Sequence, residues 1–153
     1  MFDKEKLLNQ KYDKAGSTEY LVPPEGEFKM MVDGDVPVDR WLRSGKSSKT
    51  GEEFMAYEIP IVILDDRVRA EMGREKVTSR YRGFLDFDAA GDLDFGPGKN
   101  VKLNQLRDVV GQNVPGKPWG LADLAGKGPF LGKIGHDSSS GTTYAEVRSV
   151  TRI

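Results

Sequence analysis

The sequence predicts a mainly β fold, an OB-like five-stranded barrel with one short helix between strands 3 and 4. Three observations lead there. Apolar and polar residues alternate with period two in several runs, the mark of half-buried strands. A single Gly/Pro-bounded amphipathic run, GDLDFGPGKNVKLNQLRDVVGQNVPGKPW (Gly91–Trp119), interrupts them. Three strands, this run and two more strands is the order that small OB barrels have, and such barrels bind single-stranded nucleic acid or oligosaccharide on one face. A generic α+β sandwich fits the same periodicity.

Taken in chain order, residues 1–22 carry few apolar side chains in no sustained period and are expected to form a flexible arm with room for one helical turn, with residues 23–153 as the folded domain. Pro23-Pro24 ends the arm. The first strand begins at Phe28, with Phe28, Met30 and Val32 on one side and Lys29, Met31 and Asp33 on the other. Its alternation runs on through Val36, Val38 and Leu42, with a break or bulge expected at Pro37. SGKSSKTGE (Ser44–Glu52) is a polar, basic loop. The second strand has Met55, Tyr57, Ile59, Ile61 and Ile63 in phase, and Pro60 predicts an edge or a bulge there.

Residues 65–76 read as a charged connection, and a third strand runs from Val77 to Phe87, followed by the acidic turn DAAGDLD. Leu103, Leu106 and Val110 form one stripe at helical spacing, predicting a helix over 101–110 with Asn100 as N-cap and Gly111 as its stop. A helical turn is expected at Leu121–Leu124, and final strands near 129–136 and 143–151.

A chain of 153 residues suits one domain. It can bury roughly 68–70% of its unfolded surface without disulfides or metals. The absence of cysteine excludes disulfides, thiolate metal sites and cysteine nucleophiles. The charged N-terminus lacks a signal-peptide core and no run has transmembrane length, so a cytoplasmic protein off the membrane is expected. Lys and Arg total 23 against 24 Asp and Glu, which argues against a strongly basic polyanion binder. Positive charge is nevertheless enriched after Lys99.

With the apolar phase of each strand turned inward, the outward phase supplies Trp41 and Arg43 from the first strand, Phe54 from the second, and Arg80, Arg82 and Phe84 from the third. The loop between the first two strands adds Lys46 and Lys49. Cations for phosphates and aromatic rings for bases are what single-strand binding requires. The competing reading of Trp41 and Phe54 is an extension of the core past Pro37. Trp119, in a loop after Lys117-Pro118, fits a barrel plug better than a stacking residue.

Other signals are weaker. Gly111 to Lys117 approaches a phosphate-binding P-loop, but Pro118 stands where a Ser or Thr hydroxyl is needed. Asp86, Asp88, Asp92 and Asp94 hint at a cation loop, yet Ala90 and Pro97 occupy ligand positions of the calcium pattern. His136, the one histidine, allows no His-pair metal site.

VPPEGEF (Val22–Phe28), LDFGPGKNVKLNQLRDVVGQNVPGKPW (Leu93–Trp119), LAGKG (Leu124–Gly128) and TYAEVRSV (Thr143–Val150) give the chain a resemblance to a family of phage-encoded proteins with OB-like single-stranded DNA-binding members. The resemblance implies an OB fold and strand binding in phage replication or recombination. It carries over no set of binding residues. Many replication-type binders end in an acidic tip, whereas this sequence ends SVTRI.

The function expected is therefore a non-enzymatic, sequence-tolerant single-stranded DNA-binding protein of the host-cell cytoplasm, with no cofactor and no metal. Its expected partners are single-stranded DNA, phage or host replication proteins and, through sheet edges, a second copy. The alternatives are a protein-interaction accessory that does not touch DNA and, behind it, a magnesium-dependent nuclease built on Asp86–Asp94.

Overall fold

The computed structural model describes residues 2–153 and is mainly β, with six antiparallel strands in one open sheet and three α-helices among the described residues. In chain order these are α1 (Lys4–Asn9), β1 (Gly26–Val32), a 3-10 turn (Val38–Trp41), β2 (Leu42–Lys46), β3 (Glu53–Ile63), α2 (Asp66–Met72), β4 (Val77–Phe84), α3 (Val101–Val109), a second 3-10 turn (Leu121–Leu124), β5 (Phe130–Asp137) and β6 (Tyr144–Thr151). No helix among the described residues is long and apolar enough to cross a membrane.

The expectation of five strands, one helix and a closed barrel is corrected in three places. First, the run after Phe28 is two strands. Asp33 is buried, its carboxylate accepts the Asp35 amide at 2.9 Å, and Lys76 closes on it at 3.0 Å. That turn and Pro37 direct the chain into the 3-10 turn, which drives Trp41 into the core at 1% exposure before β2 begins.

Second, residues 65–76 contain a helix. Asp65 caps α2 by accepting the amides of Arg67 and Val68, Val68 is buried, and Gly73 ends the helix at φ 66°. With one buried apolar residue in seven, α2 has no stripe for a periodicity reading to find. Third, no ladder joins β4 to β6, so the sheet stays open.

The sheet is organised on β3. Along one edge β3 pairs with β2 (Leu42↔Tyr57 to Lys46↔Glu53) and then with β1 (Met30↔Ile63 to Val32↔Ile61). Its other edge pairs with β4 from Ala56↔Phe84 to Ile63↔Val77. Pro60 therefore lies in a doubly paired strand, contrary to the edge expectation. It falls where β1 stops and β2 has not started, so its missing N–H leaves no gap in a ladder, while its carbonyl accepts the Asp33 amide at 2.9 Å. β1 carries β5, and β5 carries β6 with a register shift at Lys133/Ile134.

The outer edges of β4 and β6 approach through side chains. Ser79 Oγ donates to the Ala145 carbonyl at 3.2 Å, and Arg82 Nε lies 2.8 Å from Glu146 Oε2. The inward phase of β3 (Tyr57, Ile59, Ile61, Ile63) is fully buried with Met30, Tyr81, Phe130 and Val147, as its alternation predicts. Each such side chain contributes about 1.5–3 kcal/mol on burial. Leu103 and Leu106 of α3 close this core from below, and the Tyr81 hydroxyl donates to the Lys102 carbonyl at 2.6 Å.

Asn100 precedes α3 as predicted, but its side chain does not cap the helix. It is buried, in the left-handed region at φ 49°, and is turned back onto the β4–α3 connection. Its Oδ1 accepts the Asp86 amide at 2.9 Å, and its Nδ2 donates to the carbonyls of Asp86 and Asp94, both at 2.9 Å. Truncation would orphan these half-buried backbone groups. Asn100→Ala should cost about 2 kcal/mol or more in urea unfolding. Asn100→Gly, which relieves the left-handed backbone without restoring the bonds, should recover only a minor part of the loss.

Candidate nucleic-acid interface

The inward alternation of β3 leaves Phe54, Ala56 and Glu58 on the opposite face. Register then sets Phe84 opposite Ala56, Arg82 opposite Glu58 and Arg43 opposite Ala56. Phe84 is 68% exposed and meets the half-buried Phe54 edge-to-face, centroids 5.5 Å apart at 86°. Gly45 makes room for the Phe54 ring, because a Cβ there would come within 2.6 Å of it. Phe54, Phe84, Arg43, Arg82, Lys102 and Glu146 border a cavity of about 520 Å³ on this face.

Of the eight residues predicted for binding, six belong to this face or its adjoining turn. Phe54, Phe84, Arg43, Arg80 and Arg82 share the sheet face, and Lys49 is exposed in the β2–β3 turn, whereas Lys46, the last residue of β2, is exposed but pairs with Glu53 in the opposite phase. Trp41 is the correction. The strand phase it was assigned from stops at Val32, and the 3-10 turn carries its indole into the core, so no ring face is available for a base. Its Nε1 is buried without a hydrogen-bond partner among the described residues.

The cations of the face are coupled to carboxylates. Arg43 Nη2 and Arg80 Nη1 share Glu58 Oε1 at 3.1 and 3.6 Å. Arg82 Nε lies 2.8 Å from Glu146 Oε2, and Arg148 Nε 3.9 Å from Glu146 Oε1. Arg80 also stacks over the Tyr144 ring at 5.5 Å. Tyr144, Glu146 and Arg148 come from β6, whose own alternation around buried Val147 marks them as outward. They escape a reading restricted to the first three strands, because only the side-chain approach of β6 to β4 adds them to the face.

Lys102 was also missed. It is the second residue of α3, and its Nζ reaches back to the Arg82 carbonyl at 2.7 Å and over the Tyr81 ring at 4.5 Å. Burial pushes its pKa below the ordinary lysine value, with Glu146 partly opposing this. The hydroxyls of Tyr57 and Tyr81 are pushed well above theirs, also by burial.

The Asp86–Asp94 acids hold their own turns. The Asp86 carboxylate accepts the Asn100 amide at 2.8 Å, Asp88 accepts those of Ala90 and Asp92, and Asp94 accepts that of Gly96. Among the described residues, no three Asp, Glu or His side chains converge as a metal cluster. Trp119 is half-buried, its Nε1 donating to Gln112 Oε1 at 2.9 Å, with the Arg107 guanidinium 4.2 Å from its ring. His136 Nε2 lies 2.6 Å from the Pro23 carbonyl, which joins β5 to the end of the arm.

No protein-family model matches the chain, and no curated protein shows significant similarity to it.

The lowered Lys102 pKa has a pH signature. Between its folded value and the ordinary 10.5 the unfolded chain binds more protons than the folded one, so the Lys102 contribution to stability rises with pH across that window. Lys102→Met should remove this rise. The stability difference between parent and variant, from urea titrations at neutral and alkaline pH, should shift toward the parent as pH increases.

Proposed function

We propose that the chain is an OB-like, sequence-tolerant single-stranded DNA-binding protein acting in phage replication or recombination in the host cytoplasm. The observation that carries this reading is the exposed Phe84 ring, edge-on to Phe54 and flanked by Arg43, Arg80 and Arg82 on one sheet face. Large rings left in water beside cations are what an unpaired strand needs, because its bases can stack while its phosphates meet the arginines. A duplex keeps its base faces covered and gains only the charge term. The OB-like part of the reading is supported by the element order, by α3 beneath the core, and by the side-chain approach of β4 to β6 where a barrel would close.

On binding, phosphates exchange with Glu58 and Glu146 for Arg43, Arg80 and Arg82. Lys46 at the end of β2 and Lys49 in the turn beyond it add cations that no carboxylate holds in an ion pair among the described residues. The exchange costs part of the phosphate attraction, so the salt dependence should be shallower than the cation count suggests. Replication proteins and a second copy are further partners under the same reading. The carboxylate pairing also favours a second reading, a docking face for an accessory protein, since a face whose arginines are neutralised in place suits a neutral partner surface.

Fluorescence anisotropy with a labelled poly-dT of about 30 nucleotides, at about 50 and about 200 mM salt with duplex competitor, tests the proposal. Salt-sensitive, strand-selective binding is expected. Arg80→Ala should weaken binding to all sequences alike. Phe84→Ala should cost about 1–3 kcal/mol with an unchanged salt slope. Glu146→Gln, which releases Arg82 and Arg148, should tighten binding and steepen the slope. No binding at micromolar protein transfers the face to the accessory reading.

A further inference from the structure

Beyond the β3–β4 face, α3 and the loops on either side of it border a second, open cavity of about 510 Å³. Arg107 lines it at 7% exposure. Its guanidinium lies against two rings, 4.2 Å from the Trp119 centroid and 5.2 Å from that of Phe95. Its one hydrogen bond among the described residues is Nη1 to Asn104 Oδ1 at 2.9 Å, its Nε is buried with no partner, and it forms no ion pair there. The adjacent carboxylate of Asp108 is taken by Arg152 at 3.3 Å. A buried cation is normally paired, because desolvation without a counter-charge is costly. Burial indeed lowers the Arg107 pKa.

The other wall carries a second cation, Lys117, and no acid. Two cations in one pocket suit a phosphate monoester, whose charge near neutral pH is about −1.5 to −2, better than a single carboxylate. Phe95 is 59% exposed, so ring surface remains beside the guanidinium for a planar base. Guanidinium N–H groups form charge-assisted bonds to phosphate oxygens that are stronger than neutral ones.

We propose that this pocket binds the terminal phosphate of a nucleotide, with Arg107 and Lys117 on the phosphate and Phe95 against the base. The site is one of binding, since Pro118 still denies the loop the hydroxyl that hydrolysis by a P-loop would use. It does not rest on the β3–β4 face.

Titration of the ¹⁵N-labelled full chain with dTMP, thymidine, inorganic phosphate and N-acetyl-leucine tests it, read at the Trp119 indole N–H, which Trp119→Phe assigns. dTMP should shift that signal and bind about tenfold or more tightly than thymidine. Lys117→Gln should weaken dTMP about fivefold. Arg107→Lys should weaken it further, and Lys117→Gln, on the surface, keeps the test decisive if that variant fails to fold. Phe84→Ala should leave dTMP binding unchanged. Equal binding of dTMP and thymidine, or no indole shift, overturns the proposal. So does tighter binding of N-acetyl-leucine, which marks a peptide-carboxylate site. An effect lost in Phe84→Ala but kept in Lys117→Gln overturns it as well, by placing the nucleotide on the sheet face.

Discussion

β3 bears the rest of the molecule, because it is paired along its length by β4 on one edge and by β2 and β1 in succession on the other. That arrangement needs a residue at the junction that asks nothing of either ladder, and Pro60, with no N–H, is such a residue. It also needs the strand to know its two faces. Tyr57, Ile59, Ile61 and Ile63 are fully buried, and slipping the register by one residue would expose all four. The outward face is thus a by-product of the inward one. Phe54, Glu58, Arg80, Arg82 and Phe84 face water because their neighbours in sequence cannot.

The electrostatics of that face follow from its crowding. Arg43 and Arg80 converge on Glu58, and Arg82 and Arg148 on Glu146, so four guanidiniums are organised by two carboxylates. Partly exposed pairs of this kind add little stability individually. Their larger effect is to hold long side chains upright around the Phe54–Phe84 pair. A ligand phosphate meets preorganised donors but must compete for them. The near-even overall charge of the chain and a cationic face are therefore compatible, because the acids that balance the arginines stand among them.

Residues with strong local signals were legible. The α3 stripe, the Gly111 stop, the 3-10 turn at Leu121–Leu124 and the last two strands fall within a residue or so of where spacing puts them. α2 was not legible, since a capped, charged helix with Val68 as its single buried residue has no periodicity to read. Trp41 was misread because alternation was carried past Pro37 as if one strand continued, when a 3-10 turn resets the phase. Asn100 was placed correctly at the head of α3 but given the wrong bonds. A cap and a loop staple use the same side-chain atoms, and only the return of the Asp86–Asp94 loop decides between them.

The sequence by itself determined which faces are wet and which are dry, because period-two and helical spacing are local and each strand carries its own record of burial. It thereby named six of the residues that line the face and its turn. Tertiary structure alone decided which strands are neighbours. The approach of β6 to β4 brings Tyr144, Glu146 and Arg148 beside residues some sixty positions earlier in the chain, and the start of α3 adds Lys102. It also left Arg107 against Phe95 and Trp119 with no carboxylate partner among the described residues. Such pairings depend on long-range loop closure and on the competition of side chains for one shared space, and neither leaves a period in the sequence.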